Sequence, residues 1–366
     1  MIRLAKPYIP PEALENVINV IHSGYFIQGR YVEDLENGMN EYLDVKHSIA
    51  VSSGTAALHL ALIASNIQKG DEVIAPAFTF PATVNVIEML GAKPVLVDIS
   101  LSDYCLDPGL IEDKITKHTK AIMPVHEFGL AADMGPIREI AIRHNLRIIE
   151  DAACGLGASY KDSMAGTIGD IGCFSLHPRK TITTGEGGIV VTSNKQTDDL
   201  IRSLRNHGLH KNAGKFDISS PGLNYRMTEL QAAIGIPQLN LIDQFIKRRK
   251  EQAEHYNDIL SRVEHLEIPR KFATREHVYQ TYHVLLKNRN RDQVIQELKN
   301  HQIESNFGAY AIHCLDFYRR KYAYEDKDFQ NATLAYQQGL ALPLGDHLTD
   351  EDISTVCNTL TLILSG

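Results

Sequence analysis

Apolar positions along the first two hundred residues fall into short continuous runs separated by stretches of helical period. Leu14, Val17, Ile18 and Ile21 recur at helical spacing and stop at Ser23-Gly24, and a second helix around Val32 to Leu43 leads into a short strand, Ser48 to Val51. Strand-like runs then alternate with helices at short intervals. Glu72 to Ala75 is followed by a helix through Val84 to Leu90, Pro94 to Asp98 by Leu110 to Ile115, and Lys120 to Val125 by the helix Met134 to His144, which carries Ile137, Ile140 and Ala141 on one face. Leu146 to Asp151, Ile171 to Leu176 and Ile189 to Thr192 complete the set. This alternation predicts an α/β fold with a mainly parallel sheet covered by helices.

Beyond Met227 the pattern changes. A long helix is expected from Met227 through Leu239 towards Leu260, with the KRRK cluster at 247–250 as a solvated face. Tyr279 to Leu286 alternates as a strand, Arg291 to Lys299 reads as a helix, and Asp350 to Leu364 closes the chain as another. These elements suggest a large domain over 1–243 and a smaller α+β domain over 244–366. The chain's 366 residues exceed what one core usually supports, which favours that division.

Charge and cysteine usage narrow the function. A net charge of −8 argues against a general nucleic-acid or membrane-surface role, either of which normally shows a basic excess. Cys105, Cys154, Cys173, Cys314 and Cys357 have no paired spacing, which suits reduced thiols in a cytoplasm better than a disulfide frame or a zinc site. The start, MIRLAKPYIPPEA, is broken by prolines and lacks the apolar centre of a signal peptide, and no stretch is apolar for the length of a membrane span. In the loop GYFIQG, residues 24–29, Tyr25 and Phe26 are expected to pack, or to form a rim of the active site.

Candidate chemistry centres on Lys180 in GDIGCFSLHPRKTITTGEGG, residues 169–188. It lies on an irregular connection just past a strand end, where open α/β sheets keep their ligand crevice. A surface lysine in a glycine loop is the plainer explanation of one such residue. Partly desolvated and near other cations, however, a lysine would have its pKa lowered and could form Schiff bases with aldehydes. SSGTAALHLAL, residues 52–62, reads as strand, small-residue turn and helix. The free amides over Gly54, Thr55 and Ala56, with nearby hydroxyls, would make an anion site, a plain helix cap being the alternative. Asp151 ends a strand, Ser175 precedes the lysine loop, and Phe80 follows another strand. A phosphorylated pyridine aldehyde needs each of these: amides and hydroxyls for the phosphate, a carboxylate for the ring nitrogen, an amine for the aldehyde and a flat partner for the ring. Other site types fail. There is no G-x-x-x-x-G-K-[ST] loop, His126-Glu127 has no second histidine at metalloprotease spacing, GLGAS at 155–159 lacks the third glycine of a dinucleotide fingerprint, and the sixteen histidines form no convincing metal set.

These stretches, with GDEVIAPAFTF, KAIMPVHEFG, IIEDAACGLGASY and GLNYRMTELQAAIG, resemble the DegT/StrS-type nucleotide-sugar aminotransferases, fold type I enzymes that use pyridoxal 5'-phosphate. The resemblance implies that Lys180 carries the cofactor, Asp151 partners the pyridine nitrogen, Phe80 stacks on the ring, and Gly54, Thr55, Ala56 and Ser175 cradle the phosphate. It implies that Asn224 reaches the phosphate of a neighbouring subunit, hence a homodimer with shared sites. It also implies glutamate as amino donor and a nucleotide-diphosphate keto sugar as acceptor. The TTGEGG ending resembles enzymes that aminate carbon 4 rather than carbon 3. For the substrate, His177, Glu186, Arg205, His207, Lys211, Arg226 and His313 are candidates. Two departures stand out: many relatives have glutamine, beside the cofactor's phenolic oxygen, where this chain has Cys154, and the run NFGAYAIH at 306–313 differs from their aromatic-proline-histidine run. A non-catalytic binding protein on the same fold, or another reaction of the same cofactor, are the rival readings.

Overall fold

The strand-like runs meet in one seven-stranded sheet, seen in a computed structural model that describes residues 1–212, 215–218 and 220–365. Its strand order is His47–Val51, Gly188–Thr192, Ile171–Ser175, Arg147–Asp151, Thr119–Ile122, Glu72–Pro76 and Lys93–Val97. Six strands run in one direction; Gly188–Thr192 is antiparallel to both its neighbours. Glu72–Pro76 and Gly188–Thr192 are buried at every residue, as strands covered on both faces must be.

One helix, Gly54–Ala64, sits against the middle of this sheet and is buried from Ala56 through Leu62. A helix apolar on all sides has to be enclosed. Burial of Leu58, Leu60 and Leu62 stabilises it by roughly 1.5–3 kcal/mol each, so Leu60→Ala, which leaves a cavity between helix and sheet, would cost about 2–5 kcal/mol.

The first helix, Pro11–Ser23, differs from expectation. It buries Ala13 and Val20, whereas Leu14, Ile18 and Ile21 face outward, and Tyr25, Phe26 and Ile27 in the following loop are exposed too. The expected long helix is two helices, Glu229–Leu239 and Ile242–Leu260. Pro237 removes one backbone donor, Gln238 spends its side-chain amide on the Ile234 carbonyl at 2.7 Å, and Leu241 leaves the helical region at φ −107°, ψ 4°. The segment around Leu110 to Ile115 forms two 3₁₀ turns, Pro108–Leu110 and Glu112–Lys114. Tyr282–Leu286 is buried throughout rather than alternating, because it is the centre strand of a second sheet, between Leu266–Glu267 and Gly339–Leu342.

Ile242–Leu260 packs into two hydrophobic clusters. Ile242, Phe245 and Ile246 pack with the main-sheet core, whereas Ala253, Tyr256 and Leu260 pack with Val284, Leu340 and Ile353 in the C-terminal core. The extreme N-terminus reaches the C-terminal part of the chain: Ile2 N donates to Gln302 O at 2.8 Å. Among the described residues no helix is long and apolar enough to cross a membrane.

Candidate active site

Four chain segments leave the main sheet at the same edge, because the strands that precede them are parallel. Val51, Gly188 and Ser175 are in register across three strands, so Ser53-Gly54 and the 176–187 connection begin side by side. Ser53 caps the central helix, its Oγ accepting from Ala56 N at 3.0 Å. A Cβ on Gly54 would lie 2.9 Å from Ser175 Cβ, and one on Gly188 only 2.3 Å from Ser53 O. Glycine at these two positions is what lets the helix start approach Ser175. The result is a cluster of early-helix amides and the Ser175 hydroxyl, a polarity suited to an anion.

Asp151 is next along the edge and is 4% exposed. Thr83 Oγ1 donates to its Oδ2 at 2.8 Å, and Ala153 N donates to its Oδ1 at 3.1 Å. Burial raises its pKa, and those two hydrogen bonds with nearby Lys180 pull back only part of the shift. Phe80, one helical turn before Thr83, is 64% exposed, leaving its ring available beside Tyr310, with centroids 6.1 Å apart.

The lysine loop is fixed at both ends. Thr184 N donates to Leu176 O at 3.0 Å, Lys180 N to His177 O at 2.9 Å, and the Gln238 side chain holds the Thr183 backbone through two bonds, N to Oε1 at 3.0 Å and Nε2 to O at 2.7 Å. From the C-terminal unit, Gln280 Nε2 donates to Arg179 O at 2.8 Å. Lys180 Nζ then lies 3.0 Å from Cys154 Sγ. Its surroundings are acidic rather than cationic, which corrects the expectation of a lowered pKa. Burial pushes the ammonium pKa down, but Cys154, Asp151 and Glu127 together push it further up. Cys154 is itself shifted up by burial.

The substrate candidates divide. His177 and Glu186 lie near each other on the lysine loop: burial lowers the His177 pKa and the Glu186 charge opposes that shift. His207 and Asn224 are exposed on adjoining segments, paired through the bridge between Asn206 and Asn224. Arg226 is bonded to Asn206 Oδ1 at 2.5 Å, and the Lys211 side chain lies outside the described residues. Arg205 and His313 are corrections. Arg205 is 6% exposed, with Nη1 committed to Glu36 Oε1 and Ala50 O, both at 2.6 Å. His313 is enclosed, with Nε2 2.8 Å from Thr333 Oγ1 and its ring against Phe329, so it turns away from Phe80 towards the helix Gln330–Gln338. It stands near Cys314 and Asp326, but Asp326 is ion-paired with Arg319.

Three participants are not evident from sequence reasoning. Thr83 lies in the first turn of the helix Ala82–Met89 that follows Phe80, and nothing in FTFPAT marks its hydroxyl. Gln238 is equally unmarked. Glu127 stands out in the sequence only as half of an incomplete metal motif.

A family model for the DegT/DnrJ/EryC1/StrS aminotransferase family matches residues 7–361. The chain belongs to that family. The aminotransferase is 40% identical over 340 residues to a GDP-perosamine synthase of Caulobacter vibrioides, covering 92% of this chain and 91% of the relative. It is 34% identical over 374 residues to the spore coat polysaccharide biosynthesis protein SpsC of Bacillus subtilis, covering 98% and 96%. Among solved structures, the putative sugar aminotransferase Spr1654 of Streptococcus pneumoniae in its PLP-form superposes with TM-score 0.94 at 27% identity, covering 99% of this chain and 98% of that one; its PMP-form gives 0.95 with the same coverage. The protein is accordingly a fold type I aminotransferase dependent on pyridoxal phosphate. The residues present fit that group. The Gly54–Ser175 approach, too close for a Cβ, could take the phosphate, Asp151 the ring nitrogen, the open Phe80 ring one face, and Lys180 the aldehyde carbon.

Proposed function

We propose that this aminotransferase moves an amino group from glutamate to the keto carbon of a deoxy sugar linked to a nucleotide diphosphate, with carbon 4 as the site of amination. The convergence of Lys180, Asp151 and the Gly54–Ser175 cradle on one sheet edge carries the reading. Relatives named GDP-perosamine synthase, one of them 35% identical from Vibrio cholerae, favour the sugar nucleotide, and perosamine bears its amine on carbon 4.

When bound, pyridoxal phosphate supplies the carbon that accepts and returns the amine and a ring that takes up electron density. Lys180 holds that carbon and then moves the proton at the reacting carbon as base and acid, a role that contributes roughly 10²–10⁴-fold. Asp151, oriented by Thr83 and Ala153 N, keeps a proton on the ring nitrogen. Gly54, Thr55, Ala56 and Ser175 bind the phosphate, Phe80 covers a ring face, and Cys154 sits beside the lysine amine. His177 and Glu186 orient substrate at the lysine loop, and His207 and Arg226 meet the diphosphate. Asn224 reaches the site of a second copy in a homodimer. Exposed Leu14, Ile18, Ile21, Tyr25 and Phe26 support such a face, since apolar patches of this kind mark association surfaces. Five free thiols suit a cytoplasmic setting.

The test supplies ¹⁵N-glutamate to the cofactor-loaded protein with a panel of 3-keto and 4-keto sugar nucleotides and follows the label by mass spectrometry and NMR. Label on carbon 4 of a sugar nucleotide is the expected result. Label on carbon 3 would overturn the assigned carbon, and no labelled sugar from any member of the panel would overturn the acceptor class.

A further inference from the structure

Glu127 is a buried acid for which neither the fold nor the roles above has a use. It lies on the turn Glu127–Gly129, where Phe128 and Gly129 take the left-handed region at φ 56° and 95°. The turn has little freedom, since a Cβ on Gly129 would come within 2.8 Å of Gln280 N. It is tied to the strand that ends in Asp151, with His126 N donating to Asp151 O at 3.1 Å and Asp151 N to Pro124 O at 2.9 Å. This shape turns Glu127 inward, 5% exposed.

Other buried acids nearby are answered. Glu150 Oε2 accepts from His126 Nε2 at 2.8 Å and from Gly166 N at 2.8 Å, and its Oε1 accepts from Ile168 N and Gly169 N. Asp103 pairs with Arg275. Glu127 Oε2, by contrast, is the only buried carboxylate oxygen among the described residues with no partner. An unpaired carboxylate in such a place costs several kcal/mol, whereas an apolar side chain would cost nothing comparable. The acid therefore needs a reason other than stability.

The charges around it supply one. On the cofactor side the turn lies against the Asp151–Cys154 segment, a Cβ on Gly129 falling 3.2 Å from Cys154 O while Cys154 Sγ meets Lys180 Nζ at 3.0 Å, and from there the Glu127 charge acts on Lys180, Asp151 and Cys154. It also lines a cavity of about 10 Å³ with Asp103, Tyr104, Arg270, His277 and His283, just room for one water. Burial holds both histidines near 3 and raises Tyr104, so these three keep one protonation state from pH 6 to 9. Burial raises the pKa of Asp103, and its pairing with Arg275 opposes that rise. Burial pushes Glu127 itself up to about 8, with Lys180 opposing and Asp151 adding to the shift.

We propose that Glu127 is a positioning residue that sets the proton affinity of Lys180 through the charge of the pocket, without touching substrate. Neutral, it adds no charge to those facing the lysine. Ionised, it adds a negative charge and holds the lysine proton more tightly, so Lys180 changes protonation over a wider pH range than a lone lysine would. The proposal rests on Lys180 as the cofactor lysine, and the two are separable.

The experiment compares wild type with Glu127→Gln, which keeps the shape and cannot ionise. In cofactor-free protein, the pH dependence of Lys180 acylation is followed by peptide mass spectrometry, and infrared difference spectra follow the carbonyl stretch of a protonated carboxylic acid. The variant is expected to release the Lys180 proton about one pH unit lower, a tenfold change in proton affinity, and to lose a carbonyl band that wild type loses near pH 8. Midpoints that agree within about 0.2 units, or a wild-type band already absent at pH 6, would overturn the proposal. Borohydride reduction of cofactor-loaded wild type, followed by peptide mapping, reports the other reading separately: cofactor on a lysine other than Lys180 would remove the role of Lys180 whatever Glu127 does.

Discussion

Arg205→Met separates a substrate cation from a structural one. Arg205 lies beneath the edge of the main sheet, where Glu36 gathers Arg205 Nη1 at 2.6 Å, Arg202 Nη1 at 2.7 Å and Ala50 N at 2.9 Å. Arg202 is also held by Asp198, at 2.6 Å, and by Ser48 O, at 2.9 Å. The cluster joins the helices Arg30–Leu43 and Lys195–Leu204 to the edge strand His47–Val51. Removing one partner of a buried pair costs roughly 3–5 kcal/mol, most of it the burden of the charge left behind. Here Arg202 still neutralises Glu36, so the expected loss is near the lower limit, about 3 kcal/mol, plus the unmet Ala50 carbonyl.

Equilibrium urea unfolding at one fixed protein concentration measures that loss, because association makes apparent stability concentration-dependent. Steady-state kinetics on the same preparation should show KM for the sugar nucleotide within about twofold of wild type, since Arg205 contacts no open surface. Stability unchanged with KM raised tenfold or more would refute the structural assignment and return Arg205 to the diphosphate.

Three further outcomes follow from the site. Lys180→Ala should fold and associate as wild type, because the side-chain hydrogen bond it removes is the one to Cys154, while turnover falls below about 10⁻² of wild type; size-exclusion and single-turnover measurements check both. Gly54→Ala places a Cβ 2.9 Å from Ser175 Cβ, so the Kd for pyridoxal phosphate, measured by fluorescence titration, should rise by an order of magnitude or more with little change in secondary structure. The third is a pH effect on stability. Glu127 has a folded pKa of about 8 against an unfolded value near 4.5, so between these limits the folded state binds more protons than the unfolded one. Stability should therefore fall as pH rises from about 5 to 8, and Glu127→Gln should flatten that slope; equal slopes in urea melts at pH 5, 6.5 and 8 would contradict it.

What could be read from the residues depended on whether a property was local. The strand-length runs and the cap at Ser53 are local, and the sheet uses them almost residue for residue. The apolar stripe of the first helix is equally local, but periodicity reports only that a face is apolar, not what covers it, and Leu14, Ile18 and Ile21 turn out to face away from this chain's core. The basic run after Asp198 misled in the opposite sense. Charge in sequence says nothing about burial, and Glu36, some 169 positions away, decides that Arg205 is structural.

The lysine shows most clearly where local reading ends. Position past a strand end is enough to single out Lys180, yet the sign of its pKa shift depends on Cys154, Asp151 and Glu127, which reach it from two other connections. The expected cationic setting would have made a free amine by repulsion. An acidic setting favours the protonated lysine instead. Two of those acids differ in kind: Asp151 accepts hydrogen bonds from Thr83 and Ala153 N that oppose the upward pull of burial, whereas Glu127 Oε2 has no partner. Hydrogen bonds that favour the ionised form suit Asp151 to the ring-nitrogen role proposed for it, and the carboxyl without them suits the pH response proposed for Glu127.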